Sequence, residues 1–296
     1  MTEAKVLITG VSGMIGRELS KFLLERDYEV HGVARFSKPG SEDEISGWGV
    51  RTWKRDLVEG SLDALPDDFD YVFHEAAFWT KGLADPILDP RSLSMSTLSA
   101  GRIMARWRNT KAMVLVSTGG IYAQSKTPSN EQTPVAPNSD TYHLGKFAME
   151  QVGQFCSVQY GLPTVILRLF WPIRFEVTAR RVVDAVRAGE PVPGADDGEP
   201  YTWTPIDLHD VCRYTLLCAQ AAAVPPTVLV CGGPVVDRLE LARVAGEAMG
   251  VEPAEQSPPE HEDLYLADSA KIFGLFGPPE RDLAAMVREL AAAEKK

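Results

Sequence analysis

The stretch "ITGVSGMIGREL" at residues 8–19 places three glycines between an apolar segment and an amphipathic one. The preceding "KVLIT" (5–9) has the composition of a buried strand, and residues 16–27 carry apolar side chains at helical spacing. A glycine-rich turn from strand to helix lets the backbone approach a pyrophosphate, and the helix N-terminus contributes N–H groups and a positive dipole. The stretch therefore predicts a nucleotide site at the start of an α/β fold.

Apolar strands alternate with amphipathic helices through most of the 296 residues. Helices are predicted near 92–108 and 140–160, and further strands at 28–34, 51–56, 70–77, 112–118, 162–170 and 227–233. Such alternation is typical of βαβ units and parallel strands. We expect an α/β fold with a Rossmann-type doubly wound parallel sheet. Residues 1–170 would form the NAD(P)-binding domain and residues 171–296 mostly a small substrate-binding lobe, with some segments returning to the main sheet.

Composition narrows the class of partner. The formal net charge is −11, which argues against nucleic acid or an anionic membrane because both select for basic surfaces. The opening "MTEAKVLITG" leaves no room for a signal peptide, and no apolar run reaches the roughly 20 residues of a membrane span. The cysteines lack Cys-x-x-Cys spacing and the histidines lack metal-ligand spacing. We expect a cytoplasmic protein with a small-molecule substrate and no metal.

The segment "GVARFSKPG" (32–40) bears on which dinucleotide the glycine loop would take. An NAD site places a carboxylate about 20 residues after the last glycine, for the ribose 2′-hydroxyl. Here Arg35 ends the predicted strand, Ser37 and Lys38 follow, and no carboxylate occurs before Glu42. An arginine fork suits a 2′-phosphate, so we expect NADP(H) to be preferred, with NAD(H) possible. The alternative is that Arg35 stacks on the adenine or is solvated.

The segment "TYHLGK" (141–146) places Tyr142 and Lys146 on one face of a predicted helix. A lysine ammonium one turn away favours the phenolate, so it should lower the pKa of Tyr142 from about 10. Such a pair suits proton exchange with an alcohol or carbonyl while a cofactor carries the hydride. Thr118, at the end of a predicted strand, would hydrogen-bond the reacting oxygen. His143 faces another direction and is expected at the surface.

These motifs resemble those of the extended short-chain dehydrogenase/reductase family, of the NAD-dependent epimerase/dehydratase type, and the resemblance covers essentially the whole chain. The glycine loop, the Asp-Leu at 56–57, "HEAA" (74–77) and "STGGIYA" (117–123) match its motifs in order. The resemblance implies that Thr118, Tyr142 and Lys146 are catalytic. It implies cofactor contacts from Gly10, Ser12, Gly13, Met14, Ile15, Gly16, Arg35, Ser37, Lys38, Asp56, Leu57, Ala76, Ala77, Ser117, Tyr142, Lys146 and Phe170. It implies substrate contacts from Phe78, Trp79, Gly119, Gly120, Trp171 and Trp203.

Departures from the family pattern concern the substrate. Members acting on nucleotide sugars follow the sixth strand with Arg-x-x-Asn, whereas here Arg168 leads to Phe170 and Trp171. Trp203 stands where those members carry an arginine. With Phe78 and Trp79, these residues predict an aromatic pocket rather than a phosphate site. The alternative is that the tryptophans pack in the core.

Two further departures concern catalysis. The Asp-Glu pair of family dehydratases is replaced by Gly119-Gly120, so water elimination is not expected. The family's asparagine at the start of the helix near 92–108 is missing, and either Ser94 or Ser96 would substitute.

Three functions fit these observations. The leading hypothesis is an NADP(H)-dependent oxidoreductase, of carbonyl reductase or alcohol dehydrogenase type, for a small non-nucleotide substrate. The first alternative is an NAD(P)-dependent sugar epimerase that retains its cofactor. The second is a non-catalytic cofactor-sensing protein. The helices near 92–108 and 140–160 are candidates for a homodimer interface.

Overall fold

Strands and helices alternate along the chain, and the computed structural model describes residues 4–77, 91–137, 140–192, 202–255 and 264–293. In chain order the elements are β1 (Lys5–Thr9), α1 (Met14–Leu24), β2 (Glu29–Ala34), α2 (Ser41–Gly47), β3 (Arg51–Lys54), β4 (Tyr71–His74), α3 (Arg91–Arg106), β5 (Ala112–Thr118), β6 (Ser125–Ser129), α4 (Thr141–Tyr160), β7 (Thr164–Leu169), β8 (Pro172–Ile173), α5 (Phe175–Ala188), β9 (Thr202–Trp203), β10 (Ile206–Asp207), α6 (Leu208–Cys218), β11 (Thr227–Cys231), β12 (Val236–Asp237), α7 (Arg238–Met249), β13 (Tyr265–Ala267), α8 (Ala270–Phe276) and α9 (Leu283–Ala293).

The central sheet has seven strands in the order β11-β7-β5-β4-β1-β2-β3. Every pairing from β7 to β3 is parallel. The glycine loop follows β1, which lies between β4 and β2. The chain therefore builds the sheet outward in both directions from β1, and the loop lies at this topological switch point. The predicted Rossmann-type doubly wound sheet is confirmed, and each of its strands lies within a segment that the sequence predicts as strand.

Two compact units divide the chain. The first comprises Met1–Ala123, Pro134–Leu169 and Val211–Leu229. The second comprises Gln124–Thr133, Phe170–Asp210 and Val230–Lys296. The segment Val211–Leu229, which follows the predicted boundary at residue 170, therefore belongs to the first unit.

Helices α3 and α4 cover one face of the sheet in the first unit. Strand residues such as Leu7, Met113 and Ile166 are fully buried there against Ile103 and Met149 of the two helices. Burying a side chain of this size contributes about 1.5–3 kcal/mol, so this face supplies much of the unit's stability.

Local features of α4 fix where the helix begins and how closely it packs. It starts where the Asp140 carboxylate accepts a hydrogen bond of 2.8 Å from the His143 N–H, at the beginning of the helix that the sequence predicts near 140–160. Gly145 lies against α3, since a Cβ there would lie 2.8 Å from the Ser92 carbonyl oxygen. Gly153 lies against β5, since a Cβ there would lie 2.4 Å from Cδ1 of Leu115. The helix therefore contacts both neighbours through positions that carry no side chain.

A buried ion pair joins α4 to the sheet. Arg168 of β7 donates from Nε and Nη2 to the Glu150 carboxylate of α4, with the shortest distance 2.7 Å. Nη1 of Arg168 donates to the Tyr122 hydroxyl at 2.6 Å. All three side chains are buried, so each charged or polar group is stabilised by its partner in place of water.

The second unit has its own core, in which α5, α7 and α9 pack together. Trp203 is fully buried there, and its ring lies 5.0 Å from the Arg238 guanidinium carbon. Trp171 is partly buried against the same cluster. The short strands β8 to β10, β12 and β13 were not predicted, because two or three residues carry no periodic signal.

The structure also places the cysteines and bears on whether a helix could cross a membrane. All four cysteines, which lie in apolar stretches of the sequence, are buried. Among the described helices, none is long and apolar enough to span a bilayer.

Replacing Glu150 with Gln should lower the free energy of unfolding by about 3–5 kcal/mol, because Arg168 would stay buried without its counter-charge. Denaturant titration followed by circular dichroism measures this loss. Glu240→Gln is the control, since it breaks an exposed ion pair with Arg243 and should change stability little. Equal losses in the two variants would contradict the prediction.

Candidate functional site

A cavity of about 360 Å³ lies in the first unit, beside the glycine loop. Its wall includes twelve of the residues predicted to contact the cofactor: Gly10, Ser12, Gly13, Met14, Ile15, Gly16, Arg35, Ser37, Lys38, Leu57, Ala76 and Ala77. It also includes Arg17, Ser41, Arg55 and Glu75, which the sequence reasoning did not select. The structure thus brings the ends of β1, β2, β3 and β4 together around one space.

The glycines of the loop are required by close backbone approaches. Gly10 has φ +72, and a Cβ there would lie 2.7 Å from Cα of Ala76 and 2.8 Å from its nitrogen. A Cβ on Gly16 would lie 2.5 Å from the Gly10 carbonyl oxygen. Helix α1 begins at Met14 with no side-chain cap and no acid in its first turn, so its N–H groups suit a phosphate. These features fit a dinucleotide.

Cations line the cavity where β2 and β3 end. Arg35 follows β2 and Arg55 follows β3, two strands paired in parallel register through Ala34 and Lys54. The Arg55 N–H donates to the Ala34 carbonyl at 2.9 Å, which keeps the two arginines side by side. Phe36, next to Arg35, is buried with φ 48, a left-handed conformation that bulky residues rarely adopt. The sequence does contain a signal for Arg55. It is a cation at the end of the strand that comes next in the chain after the one that ends at Arg35.

The three residues predicted to be catalytic lie where β5 meets the first turns of α4. The Lys146 ammonium is 2% exposed and donates to the Val116 carbonyl at 2.7 Å and to the Ala76 carbonyl at 3.4 Å. Thr118 Oγ1 accepts from the Gly120 N–H at 3.2 Å. Because Oγ1 acts as acceptor in that bond, the hydroxyl hydrogen of Thr118 can be donated to a substrate oxygen.

The pKa of Tyr142 differs from the sequence expectation. Burial, together with the charges of Asp140 and Glu75, raises it to about 12. The Lys146 ammonium does not lower it, because that group points toward the carbonyl oxygens of Val116 and Ala76. Burial also lowers the pKa of Lys146 to about 8, against the opposing effects of Glu75 and Glu150. At neutral pH Tyr142 is therefore a phenol that can donate a proton.

His143 is not the surface residue that the sequence predicts. Its ring is partly buried, and a Cβ on Gly120 would lie 2.0 Å from its Nε2. Its Nδ1 lies 3.0 Å from the Asp140 carboxylate, and burial lowers its pKa. The His143 ring therefore packs on the turn that follows Thr118 and helps to seat α4 there.

Other predicted cofactor residues have structural partners or lie elsewhere. The Asp56 carboxylate accepts from the N–H groups of Val58 and Glu59, so it stabilises a turn. The Ser117 hydroxyl is buried with no hydrogen-bond partner in the described part of the chain. Phe170 is buried in the second unit.

The residues predicted to contact substrate are distributed unevenly. Gly119 and Gly120 form the turn after Thr118, whereas Phe78 and Trp79 lie outside the described residues. Trp203 is 0% exposed within the core of the second unit, so its side chain does not line an aromatic pocket. The core-packing alternative therefore applies to Trp203, because the strand β9 that carries it pairs with β12 and turns its ring inward.

The serines that were expected to replace the family's asparagine behave differently from each other. Ser94 is exposed and donates to the Arg91 carbonyl within its own helix, at 3.1 Å. Ser96 is buried, and its carbonyl accepts from Ser99. Neither contact involves α4, whose close neighbour in α3 is Ser92.

When the chain is compared with known proteins, residues 6–232 match the model of the NAD dependent epimerase/dehydratase family. The chain belongs to this family. The match begins in β1 and extends beyond β11, so it includes the glycine loop, the cation-lined cavity, Thr118, Tyr142 and Lys146. The resemblance inferred from the motifs is confirmed.

Parts of this chain are similar to two kinds of curated relatives, epimerases and reductases. An uncharacterized UDP-glucose epimerase of Bacillus subtilis is 24% identical over 177 residues, 56% of this chain and 56% of the relative. A dihydroflavonol 4-reductase of Gerbera hybrida is 32% identical over 129 residues, 40% of this chain and 34% of the relative. The chain thus spans about half, or less, of the length of the curated relatives it matches.

Solved structures resemble the whole chain. UDP-glucuronic acid 4-epimerase from Bacillus cereus, in complex with UDP-glucuronic acid and NAD, aligns with a TM-score of 0.72 and 20% identity. That alignment covers 98% of this chain and 99% of the other. At this identity the likeness establishes the fold.

Substituting Gly10 with Ala should weaken binding of a nicotinamide dinucleotide roughly tenfold or more, since the methyl group meets the Ala76 backbone and φ is left-handed. Fluorescence titration of NADPH measures the dissociation constant. Gly250→Ala is the control for backbone strain without a steric clash, because Gly250 has φ +70 and an added Cβ there would have no heavy atom within 4 Å. An unchanged affinity in the folded Gly10→Ala variant would count against the cavity as the dinucleotide site.

Proposed function

We propose that this chain is a nicotinamide-dependent sugar epimerase that keeps its cofactor through the catalytic cycle. The observation that carries the proposal is the seating of α4 against the end of β5, with Lys146 anchored on Val116 two residues before Thr118. The named epimerases among the relatives and solved structures support a sugar substrate. This replaces the leading sequence hypothesis, because Trp203, one of its supports, lies in a hydrophobic core.

The chemistry divides between cofactor and protein. The nicotinamide supplies a reversible hydride acceptor when bound. For the oxidation step Tyr142 first loses its own proton to solvent, and the phenolate then takes the proton of a sugar hydroxyl. The resulting phenol returns that proton to the same oxygen when the carbon is reduced from its other face. The Thr118 hydroxyl donates a hydrogen bond to the same oxygen, which stabilises developing negative charge. Lys146 supplies a positive charge beside the Val116 and Ala76 carbonyls, and burial lowers its pKa to about 8.

A carbonyl reductase is the second candidate. It is favoured by the 32% identity to dihydroflavonol 4-reductase and by Trp171, which stands after β7 where members acting on nucleotide sugars carry an asparagine. The two enzymes differ in net turnover. An epimerase interconverts UDP-sugars without consuming added NADPH, whereas a reductase oxidises NADPH in the presence of a carbonyl substrate. A cofactor that absorbs near-ultraviolet light and remains through purification would support the epimerase.

The Tyr142→Phe variant should lose about 100-fold or more of its turnover, because phenylalanine has no hydroxyl with which to exchange a proton. The rate is measured with UDP-glucose and UDP-glucuronic acid for epimerisation and with dihydroflavonols and NADPH for reduction. Cofactor affinity should be retained. Tyr160→Phe, at the far end of α4, is the control. A Tyr142→Phe protein with full activity would exclude Tyr142 as the proton-transfer group. A parent chain without turnover of any of these substrates would favour a cofactor sensor over both enzymes.

We also propose that the cofactor carries a 2′-phosphate, with NADP(H) preferred and NAD(H) accepted. Support comes from Arg35, Lys38 and Arg55 on one cavity wall. Guanidinium groups suit a phosphate dianion through paired N–H donors. Solved structures that name their cofactor, such as the UDP-glucuronic acid 4-epimerase from Bacillus cereus, contain NAD, so the proposed preference for NADP(H) differs from theirs.

Arg35→Ala and Arg55→Ala should each weaken NADPH binding by about 10- to 100-fold, through the loss of a charged hydrogen bond, while NADH binding changes little. Isothermal titration calorimetry with both dinucleotides measures the two affinities. Arg51→Ala removes a cation from β3 outside the cavity and is the matched control. Equal losses for NADPH and NADH would contradict the preference.

The homodimer stays a prediction. Large apolar side chains are exposed on the two helices that the sequence nominates, with Phe155 of α4 65% exposed and Leu98 of α3 52% exposed. Helices α3 and α4 pack on each other within the first unit, so these side chains lie on outward positions that a second copy would cover.

A further inference from the structure

Arg17 is a further cation on the wall of the dinucleotide cavity, and the site described above gives it no role. It directly follows the last glycine of the loop, and its N–H donates to the Gly13 carbonyl at 3.0 Å in the first turn of α1. Its side chain is 24% exposed, so a ligand in the cavity can reach it. A guanidinium at such a place suits a phosphate, because it offers paired N–H donors with a fixed charge.

Two residues of the α2 segment hold the guanidinium of Arg17. Nη2 of Arg17 donates to the Glu44 carboxylate of α2. The guanidinium carbon also lies 5.0 Å from the centre of the ring of Trp48, the residue that follows this helix. The Glu44 side chain is 48% exposed. An ion pair with this exposure adds little to stability, so Arg17 can exchange Glu44 for another anion at low cost.

The direction in which Arg17 extends decides which phosphate it would meet. Helix α2 begins at Ser41, directly after the segment that carries Arg35 and Lys38. Ser41 lies in the cavity wall, and its hydroxyl donates to the Lys38 carbonyl at 2.6 Å. Because Glu44 lies one turn after Ser41, Arg17 extends from the glycine loop toward the part of the cavity proposed for the 2′-phosphate.

We propose that Arg17 is a further specificity residue for the 2′-phosphate, and that Glu44 competes with this phosphate for its guanidinium. The Glu44 carboxylate accepts a hydrogen bond that a phosphate oxygen would accept once the cofactor binds. A phosphate carries more negative charge than a carboxylate and has three acceptor oxygens, so it is the stronger partner for a guanidinium. This inference rests on the proposed preference for NADP(H), which it explains in more detail.

Lys21 provides a matched cation on the same helix. It lies one turn after Arg17 in α1, and its ammonium lies 4.6 Å from the centre of the same Trp48 ring. Its ion pair is with Glu18, at 3.6 Å on its own helix. Lys21 is not among the described residues that line the cavity. It therefore shares Trp48 with Arg17 and should not contact the phosphate.

The first test measures NADPH and NADH binding to full-length protein by isothermal titration calorimetry. Arg17→Ala should weaken NADPH binding about five- to tenfold and change NADH binding less than about twofold, because a charged hydrogen bond to the 2′-phosphate is lost. Arg17→Met should behave in the same way and keeps an unbranched side chain against Trp48, in case the alanine variant does not fold. Lys21→Ala should leave both affinities unchanged. Unchanged NADPH binding in the Arg17 variants, or equal losses for the two dinucleotides, would overturn the proposal.

The second test predicts a change in the opposite direction. Glu44→Gln should strengthen NADPH binding about two- to fivefold, because the competing ion pair is removed. Asp43→Asn removes a negative charge from the same turn of α2 and measures the effect of net charge alone. In the double variant of Arg17→Ala and Glu44→Gln the gain should disappear. A gain no larger than that of Asp43→Asn, or one that persists without Arg17, would contradict the competition.

The outcomes separate this inference from the proposed cofactor preference. A parent chain that binds NADPH and NADH equally, with Arg35→Ala affecting both alike, would refute the preference and this inference together. A parent chain that prefers NADPH through Arg35 while Arg17→Ala changes neither affinity would refute the role of Arg17 alone. Both tests measure binding, so neither requires the chain to turn over a sugar or a carbonyl.

Discussion

The buried ion pair between Glu150 and Arg168 fixes the position of α4, the helix that carries the proposed catalytic residues Tyr142 and Lys146. It joins α4 to β7 in an interior where neither charge can be solvated by water. One turn before Glu150 on the same helix lies Lys146, and one turn before that lies Tyr142. Because an α-helix is stiff over this distance, the position of the ion pair determines where the phenol and the ammonium lie relative to β5. Glycines at 145 and 153 then allow the helix to approach α3 and Leu115 closely.

Burial dominates the electrostatics of the site. The pKa of Tyr142 is raised and that of Lys146 is lowered, each with desolvation as the largest cause. A phenol and an amine treated as neighbours on an exposed helix would have shifted in the opposite directions. The difference arises because the lysine side chain extends beneath the ends of β4 and β5, where the carbonyls of Ala76 and Val116 accept its protons. Charge near the reacting oxygen is therefore set by buried groups and less by the spacing of two residues along a helix.

The buried position of Trp203 removes one reason to expect an aromatic substrate pocket. Trp203 packs with the Arg238 guanidinium inside a hydrophobic core, so its presence in the sequence says little about the chemistry of a ligand. An aromatic residue in place of a family arginine looks the same in sequence whether it lines a pocket or fills a core. Family membership and the named epimerases then favour a sugar over a small aromatic carbonyl, while the cations beside Arg35 still distinguish this cavity from one built around an acidic residue.

The sequence by itself determined the central sheet, the glycine loop and the order of the motifs, because periodicity, glycine and charge at strand ends are local properties. For this reason the sequence nominated Gly10 and Gly16 for a dinucleotide and Arg35 for a phosphate, and these roles stay predictions. The tertiary structure alone decided the neighbours of each site residue. It paired Arg55 with Arg35 through adjacent strands, turned His143 onto Gly120, and buried Glu75 beside the backbone that holds Lys146. These contacts join residues far apart in the chain, and the depth at which a charge is buried depends on every element packed around it.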